Sequence, residues 1–276
     1  MTDFLSRYGQ WGLVAGAAEG IGAAFCEELA KRGMNVIMVD VKENEMESLS
    51  RHLENTYQIR TSQLVIDLTT EDAPANCLDE MMKMDCRLLI YNAAYSRVKP
   101  FLSTGPEELD YYVNVNTRTP LKLVYAFAQW LTADKKPGGI LLMSSLAGLW
   151  GTKLVAAYSG TKAFNLTLAE SLSYELKPSG IDVSAVCAGA TATPGYLGTN
   201  PTYGFIKPSV MKPGKVASIA LEKLGKKKVI IPGFFNRITY FLLTRILPRN
   251  LATDLVNKTM GRTYRIFIFV LIQTGI

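Results

Sequence analysis

Apolar residues fall into short continuous runs, separated by stretches in which they recur every three or four positions. A run of a few apolar residues bounded by turn formers reads as a strand buried on both faces, and the three-to-four spacing reads as an amphipathic helix. Six runs fit the strand pattern: Trp11–Ala15, Asn35–Asp40, Gln63–Asp67, Leu88–Asn92, Gly139–Ser144 and Asp182–Ala188. Ile21–Lys31, Glu43–Asn55, Pro106–Thr132 and Val155–Lys177 read as helices, the last ending just before Pro178 and Gly180. Such alternation predicts an α/β fold, a doubly wound parallel sheet with helices on both faces.

Past residue 190 the pattern changes. Thr191–Pro213 is rich in Pro, Gly, Thr and Tyr, and a loop of about twenty residues in a compact domain is often a lid or binding loop. Pro213–Leu224 then reads as a helix and Lys226–Pro232 as a seventh strand. Phe234–Met260 is apolar and basic at roughly helical spacing, which predicts one or two amphipathic helices beside the mouth of the fold. Residues 1–233 are therefore expected to form one domain, with 234–276 a basic, apolar extension packed on it. The run Ile266–Ile272 reads as a strand, a subunit contact or a buried tail.

Composition narrows the function. Of 276 residues, 48% are hydrophobic and 20% charged, enough for a sizeable core and unlike a disordered or fibrous chain. The four cysteines show no CxxC spacing and no secretory leader precedes them, so free thiols and a cytoplasmic location are expected. A single histidine, His52, does not sustain a zinc site or a Ser/His/Asp triad, and no metal site is expected. No run reaches the ~18 apolar residues of a membrane span. The net charge of +6 is uneven: residues 203–276 carry 13 Lys and Arg against 2 Asp and Glu, and residues 1–202 carry 17 against 22. That asymmetry suits phosphates, acidic proteins or anionic lipid. Nucleic acid is not an expected partner.

Trp11–Ala15 runs into Gly16-Ala17-Ala18-Glu19-Gly20-Ile21-Gly22 and then a helix. Glycines allow a tight strand-to-helix turn and let backbone N–H groups approach a pyrophosphate, whose charge suits a helix N-terminus. The spacing is GxxxGxG, not the common GxGxxG. Asp40 ends the second strand, where a carboxylate accepts hydrogen bonds from the adenosine ribose and repels a 2′-phosphate. NAD is favoured on that ground; nearby Lys42 leaves NADP open. Tyr158 and Lys162 stand four residues apart on one helical face, and a lysine cation beside a phenol lowers its pKa toward that of a useful acid–base. Ser145, thirteen residues upstream, ends a strand, and doubly wound sheets gather active-site groups at such ends.

Together these ordered motifs resemble the short-chain dehydrogenase/reductase family of single Rossmann domains over about residues 10–195. Tyr8–Gly22 is similar to the family's TGxxxGIG turn, with Ala15 for threonine. Asp67-Leu68 matches the acid that meets adenine, and Tyr91-Asn92-Ala93-Ala94 matches NNAG with Tyr91 and Ala94 as departures. Val115–Pro120 matches the segment carrying the catalytic asparagine; Asn114 competes, but the residues after Asn116 fit better. Ala188–Thr193 matches PGxxxT, with Ala188 for proline. The resemblance implies that Tyr158 exchanges a proton with the substrate oxygen, Ser145 polarises that oxygen, Lys162 binds the nicotinamide ribose, and Asn116 positions a relay water. It further implies cofactor contacts from Gly16, Gly20, Ile21, Gly22, Asp40, Asp67, Leu68, Asn92, Ala93, Tyr158 and Lys162, and carboxamide contacts from Gly189, Thr191 and Thr193.

The expected function is hydride transfer between NAD(H) and a secondary alcohol or ketone, of moderately hydrophobic character. The alternative is a non-catalytic nucleotide-binding scaffold that binds a partner through its basic C-terminal region, and it rests on the charge asymmetry and the departures. Trp150, Tyr196, Tyr203 and Phe205 are candidates to line a substrate pocket, with core packing as the competing reading. The C-terminal region could also contact a membrane surface or an acyl carrier. A homodimer or homotetramer through Pro106–Thr132 and Val155–Lys177 is expected from the resemblance.

Overall fold

In a computed structural model of the chain, residues 2–203 and 208–264 are described; Phe205 and Ile266–Ile272 lie outside them. The elements run α1 (Thr2–Tyr8), β1 (Trp11–Ala15), α2 (Gly20–Ala30), β2 (Asn35–Asp40), α3 (Glu43–Tyr57), β3 (Thr61–Val65), α4 (Ala73–Lys83) and β4 (Leu88–Tyr91). They continue through α5 (Pro106–Val113), α6 (Thr119–Ala133), β5 (Gly138–Ser145), α7 (Ala156–Glu175) and β6 (Ile181–Ala188). After the single turn α8 (Pro194–Leu197) come α9 (Pro213–Lys223), β7 (Val229–Ile230), α10 (Phe234–Phe241) and α11 (Arg249–Thr263).

The strands form one sheet in the order β3-β2-β1-β4-β5-β6-β7, every neighbouring pair parallel. Side chains of a strand alternate faces, so each run serves two cores. Val14, Val36, Ile90 and Leu141 pack with Phe25 and Leu29 of α2 and Val216 and Ala220 of α9. Leu13, Ile37, Leu89 and Ile140 pack with Cys77 and Met81 of α4 and Leu123 and Phe127 of α6. Strand order reverses between β1 and β4, which opens a crevice at the carboxyl ends of those strands, where doubly wound sheets bind ligands. All four cysteines are free and buried.

Several elements differ from the sequence pattern, each for a local reason. β3 stops at Val65 because Asp67 Oδ1 accepts from the amide and hydroxyl of Thr69 at 2.8 Å each, which turns the chain. β7 is only two residues long, at the sheet edge. Helices α1 and α4 were not anticipated. The apolar row of α4 (Ala73, Cys77, Met81) is too weak in hydrophobicity to stand out, although Asp72 and Pro74 mark a helix start. Pro106–Thr132 is not one regular helix: a π-turn, Asn114–Arg118, separates α5 from α6. The C-terminal stretch forms two helices joined by a π-turn at Leu242–Ile246 and by Pro248.

Candidate active site

The glycine turn is shaped so that side chains are excluded. A Cβ on Gly22 would lie 1.7 Å from Gly16 O, and one on Gly16 would lie 2.6 Å from Ala93 Cα. Gly16 (φ +75°) and Gly20 (φ +61°) also occupy the left-handed region. Bare backbone therefore leads into the N-terminus of α2, with Ile21 in its first turn. Such a turn at the crevice fits a pyrophosphate. Asn92 Nδ2 donates to Gly16 O at 2.8 Å, and the amides of Asn92 and Ala93 donate to Ala15 O, so this segment ties β4 to the turn.

Asp40 is half-buried at the end of β2, where it accepts from Ala18 N (3.0 Å), Val41 N (2.8 Å) and Lys42 N (3.2 Å). Lys42 Nζ pairs with Glu19 at 2.8 Å. The carboxylate thus stands beside the glycine turn, where a ribose fits, and the neighbouring cation is engaged elsewhere. Asp67 is exposed on its turn and Leu68 is buried behind it. The residues present fit an adenine dinucleotide.

The π-turn has a definite cause. Pro120 has no N–H, so one donor is missing from the helix ladder there, and the wider π-turn leaves the carbonyls of Val115 and Asn116 to side-chain donors. Tyr91, one of the two departures from NNAG, supplies one donor: its buried hydroxyl donates to Val115 O at 2.6 Å. Asn165 supplies the other, Nδ2 donating to Asn116 O at 3.0 Å. The Asn116 carboxamide, fully buried, accepts from Tyr95 N (2.7 Å) and donates to Tyr95 O (2.9 Å) and Thr161 Oγ1 (3.1 Å). Asn116 is thereby locked between the segment after β4 and α7. Asn114, its competitor, is half-buried in the same turn.

Strand β5 and helix α7 bring the remaining three together. Ser144 and Ser145 point to opposite sides, as strand neighbours must. Buried Ser144 donates to Lys162 O at 2.7 Å and pins α7 to the sheet, whereas half-buried Ser145 hydrogen-bonds the Tyr158 phenol and accepts from Ala147 N. Lys162 Nζ lies 5.6 Å from the centre of the Tyr158 ring and donates to Met143 O at 2.9 Å. The expectation that Lys162 depresses the tyrosine pKa is corrected here. Burial raises the Tyr158 pKa, the Ser145 hydrogen bond opposes that rise, and a charge on Tyr112 would add to it. Burial lowers the Lys162 pKa to about 8. Burial is the leading cause for both groups, since desolvation penalises the charged form of each, and the ammonium faces a carbonyl of β5.

The loop after β6 reaches the same place. Thr193 lies against the glycine turn, its Cγ2 3.0 Å from where a Cβ of Gly20 would sit, and its hydroxyl caps α8 by accepting from Tyr196 N. Buried Thr191 donates to Gly189 O at 3.0 Å, and Gly189 is in contact range of Asn236 of α10. Tyr196 and Tyr203 share a hydroxyl–hydroxyl hydrogen bond in this loop. Helix α11 fastens the surroundings: Asn257 bonds both Lys153 N (2.7 Å) and Gly151 O (2.9 Å), and Thr263 O accepts from Thr202 N (3.0 Å). Trp150 packs with Leu243 and Ala252, which anchors the extension. A cavity of about 410 Å³ lies between Gly148–Lys153, Arg249 and the row Ala156, Ser159, Ala163 of α7. That row is a different helical face from the one carrying Tyr158 and Lys162.

Comparison with known proteins agrees with this geometry. The family model described as short chain dehydrogenase matches residues 10–202. A 7beta-hydroxysteroid dehydrogenase of Mediterraneibacter gnavus is 33% identical over 235 residues, covering 84% of this chain and 89% of that protein. A very-long-chain 3-oxoacyl-CoA reductase of Pyricularia oryzae is 34% identical over 231 residues, covering 80% of this chain and 67% of that protein. A solved structure from work on 7beta-hydroxysteroid dehydrogenase stereoselectivity superposes with a TM-score of 0.83 at 28% identity, over 92% of this chain and 98% of the other. The parallel sheet with its glycine turn, the Ser145–Tyr158–Lys162 cluster beside Asn116, and these matches establish that the chain belongs to the short-chain dehydrogenase family.

Proposed function

We propose that the protein moves hydride between NAD(H) and the carbinol or carbonyl carbon of a hydrophobic secondary alcohol or ketone. The observation that carries this reading is the meeting of Ser145, Tyr158 and Lys162 at the carboxyl end of β5, next to the glycine-lined crevice. A nicotinamide dinucleotide, which the glycine turn and Asp40 would hold, would supply or accept the hydride when bound. Tyr158, with its pKa raised by burial, is a neutral phenol at neutral pH and therefore a proton donor, which suits carbonyl reduction. Ser145 shares its hydrogen bond and holds the same oxygen; a pre-aimed donor of this kind contributes a few kcal/mol to the barrier. Lys162, with a pKa of about 8, is mostly cationic at pH 7 and carries the charge that orients the ribose hydroxyls. Asn116, held in its π-turn by Tyr95, Thr161 and Asn165, is the residue we assign to a relay water.

Two further features support the finer reading. Asp40, at the end of β2 beside the glycine turn, would repel a 2′-phosphate, which favours NAD over NADP. The matched relatives are named for a hydroxysteroid and a very-long-chain 3-oxoacyl-CoA, which share a large apolar portion (the ring system and the acyl chain), and a substrate with such a portion is the one we assign. We place self-association on α6, where Leu121 and Tyr125 stand exposed, and on α7. The test is turnover with NADH and a panel of bulky ring and long-chain ketones. Tyr158→Phe should lower kcat at least a hundredfold while cofactor titration still shows binding. Undiminished turnover in that variant would overturn the mechanism. Cofactor binding without turnover of any ketone by the unaltered protein would leave the scaffold reading in its place.

A further inference from the structure

Helix α10 and the π-turn after it show their apolar side outward. Phe234, Phe235, Ile238, Phe241, Leu242 and Ile246 are all exposed, Phe235 by 67% and Ile246 by 60%, whereas Asn236 and Leu243 are the buried members. The exposed positions recur at three, four, seven and eight residues, so they form one continuous stripe along the helix. Soluble surfaces seldom carry a contiguous apolar row of this kind without an occupant for it. Leu251 and Leu255, one turn apart on α11, are likewise exposed.

Cations frame this stripe. Arg237, Arg245 and Arg249 are exposed along it, and between residues 234 and 250 there is no acidic side chain. Among the described residues none of these arginines has an ion-pair partner, although arginines and lysines elsewhere in the fold do, as at Arg32–Glu28, Arg51–Glu47 and Lys136–Asp85. Lys258 and Arg262 extend the positive field along α11, against the single carboxylate of Asp254. We infer that this face docks on an anionic lipid bilayer, the aromatic and aliphatic side chains entering the headgroup boundary and the arginines reaching lipid phosphates from their flexible stems. Charge decides between occupants. A second copy seated on the same face would bring arginines against arginines, which opposes association, whereas an anionic surface complements them. The docking does not depend on the proposed reaction.

The full chain is incubated with vesicles of phosphatidylcholine mixed with phosphatidylserine, or of phosphatidylcholine alone, and pelleted. Sedimentation with the anionic vesicles, weakened by added salt, is the expected result. Arg237→Gln and Arg245→Gln should each weaken partitioning about fivefold, and the double variant Phe235→Ser/Phe241→Ser should remove most of it. These side chains are exposed, so the variants keep the fold, which the unfolding midpoint verifies. Failure to pellet, equal pelleting with neutral vesicles, or a double variant that pellets like the unaltered protein overturns the inference. So does loss of self-association in the double variant by sedimentation velocity, because the stripe would then be covered by a second copy.

Discussion

Lys162 is an ammonium held inside the protein, 2% exposed, with Met143 O at 2.9 Å as its hydrogen-bond acceptor. Burial lowers its pKa from 10.5 to about 8, which corresponds to about 3 kcal/mol of stability given up at pH 7. The sign follows from proton counting. Between about 8 and 10.5 the unfolded chain binds this proton and the native state has released it, so stability rises with pH across that window. The deficit is full below the native pKa and gone above the unfolded one. Lys162→Met removes the titration and adds a constant difference in packing and in the lost hydrogen bond. The stability gap between the two proteins must therefore change with pH even though its absolute size depends on that constant. Between pH 7 and about 9.5 the unaltered protein should gain about 2 kcal/mol on the variant. Urea unfolding followed by the fluorescence of the three tryptophans measures both proteins at each pH, and other titrating groups cancel in the difference. A gap that stays flat within about 0.5 kcal/mol across the window would refute the buried-cation account.

Gly22→Ala forces a Cβ to 1.7 Å from Gly16 O, so it should cost more than about 4 kcal/mol or prevent folding; an unchanged urea midpoint would show that the turn can relax. Tyr91→Phe leaves Val115 O without a donor and should cost about 1–3 kcal/mol. Pro120→Ala in that background restores an N–H and should recover part of the loss, so strictly additive effects in the double-mutant cycle would disprove the coupling. Asp40→Ala should relax discrimination against NADP(H) in side-by-side turnover, and an unaltered protein that already prefers NADPH would sink the reading of that carboxylate.

Strands β1, β2 and β4 to β6 and helices α2, α3, α7 and α9 were legible to within a few residues, because burial on both faces leaves unbroken apolar runs and helix packing leaves a three-to-four repeat. The glycine turn and the pairing of Tyr158 with Lys162 were legible for the same reason: spacing along a regular element dictates which side chains share a face. Helix α4 escaped because Ala73 and Cys77 carry little hydrophobic signal. The π-turn at Asn114–Arg118 escaped because Pro120 only creates the fault; Tyr91 from β4 and Asn165 from α7 stabilise it, and both are remote in sequence. The direction of the Tyr158 pKa shift escaped by the same limitation. Four-residue spacing placed an ammonium near a phenol, but only the packing of β5 against α7 decided that Met143 O receives the ammonium and that both groups are desolvated. Periodicity is a property of neighbours along the chain, whereas desolvation and the choice of hydrogen-bond partner belong to segments that meet only on folding.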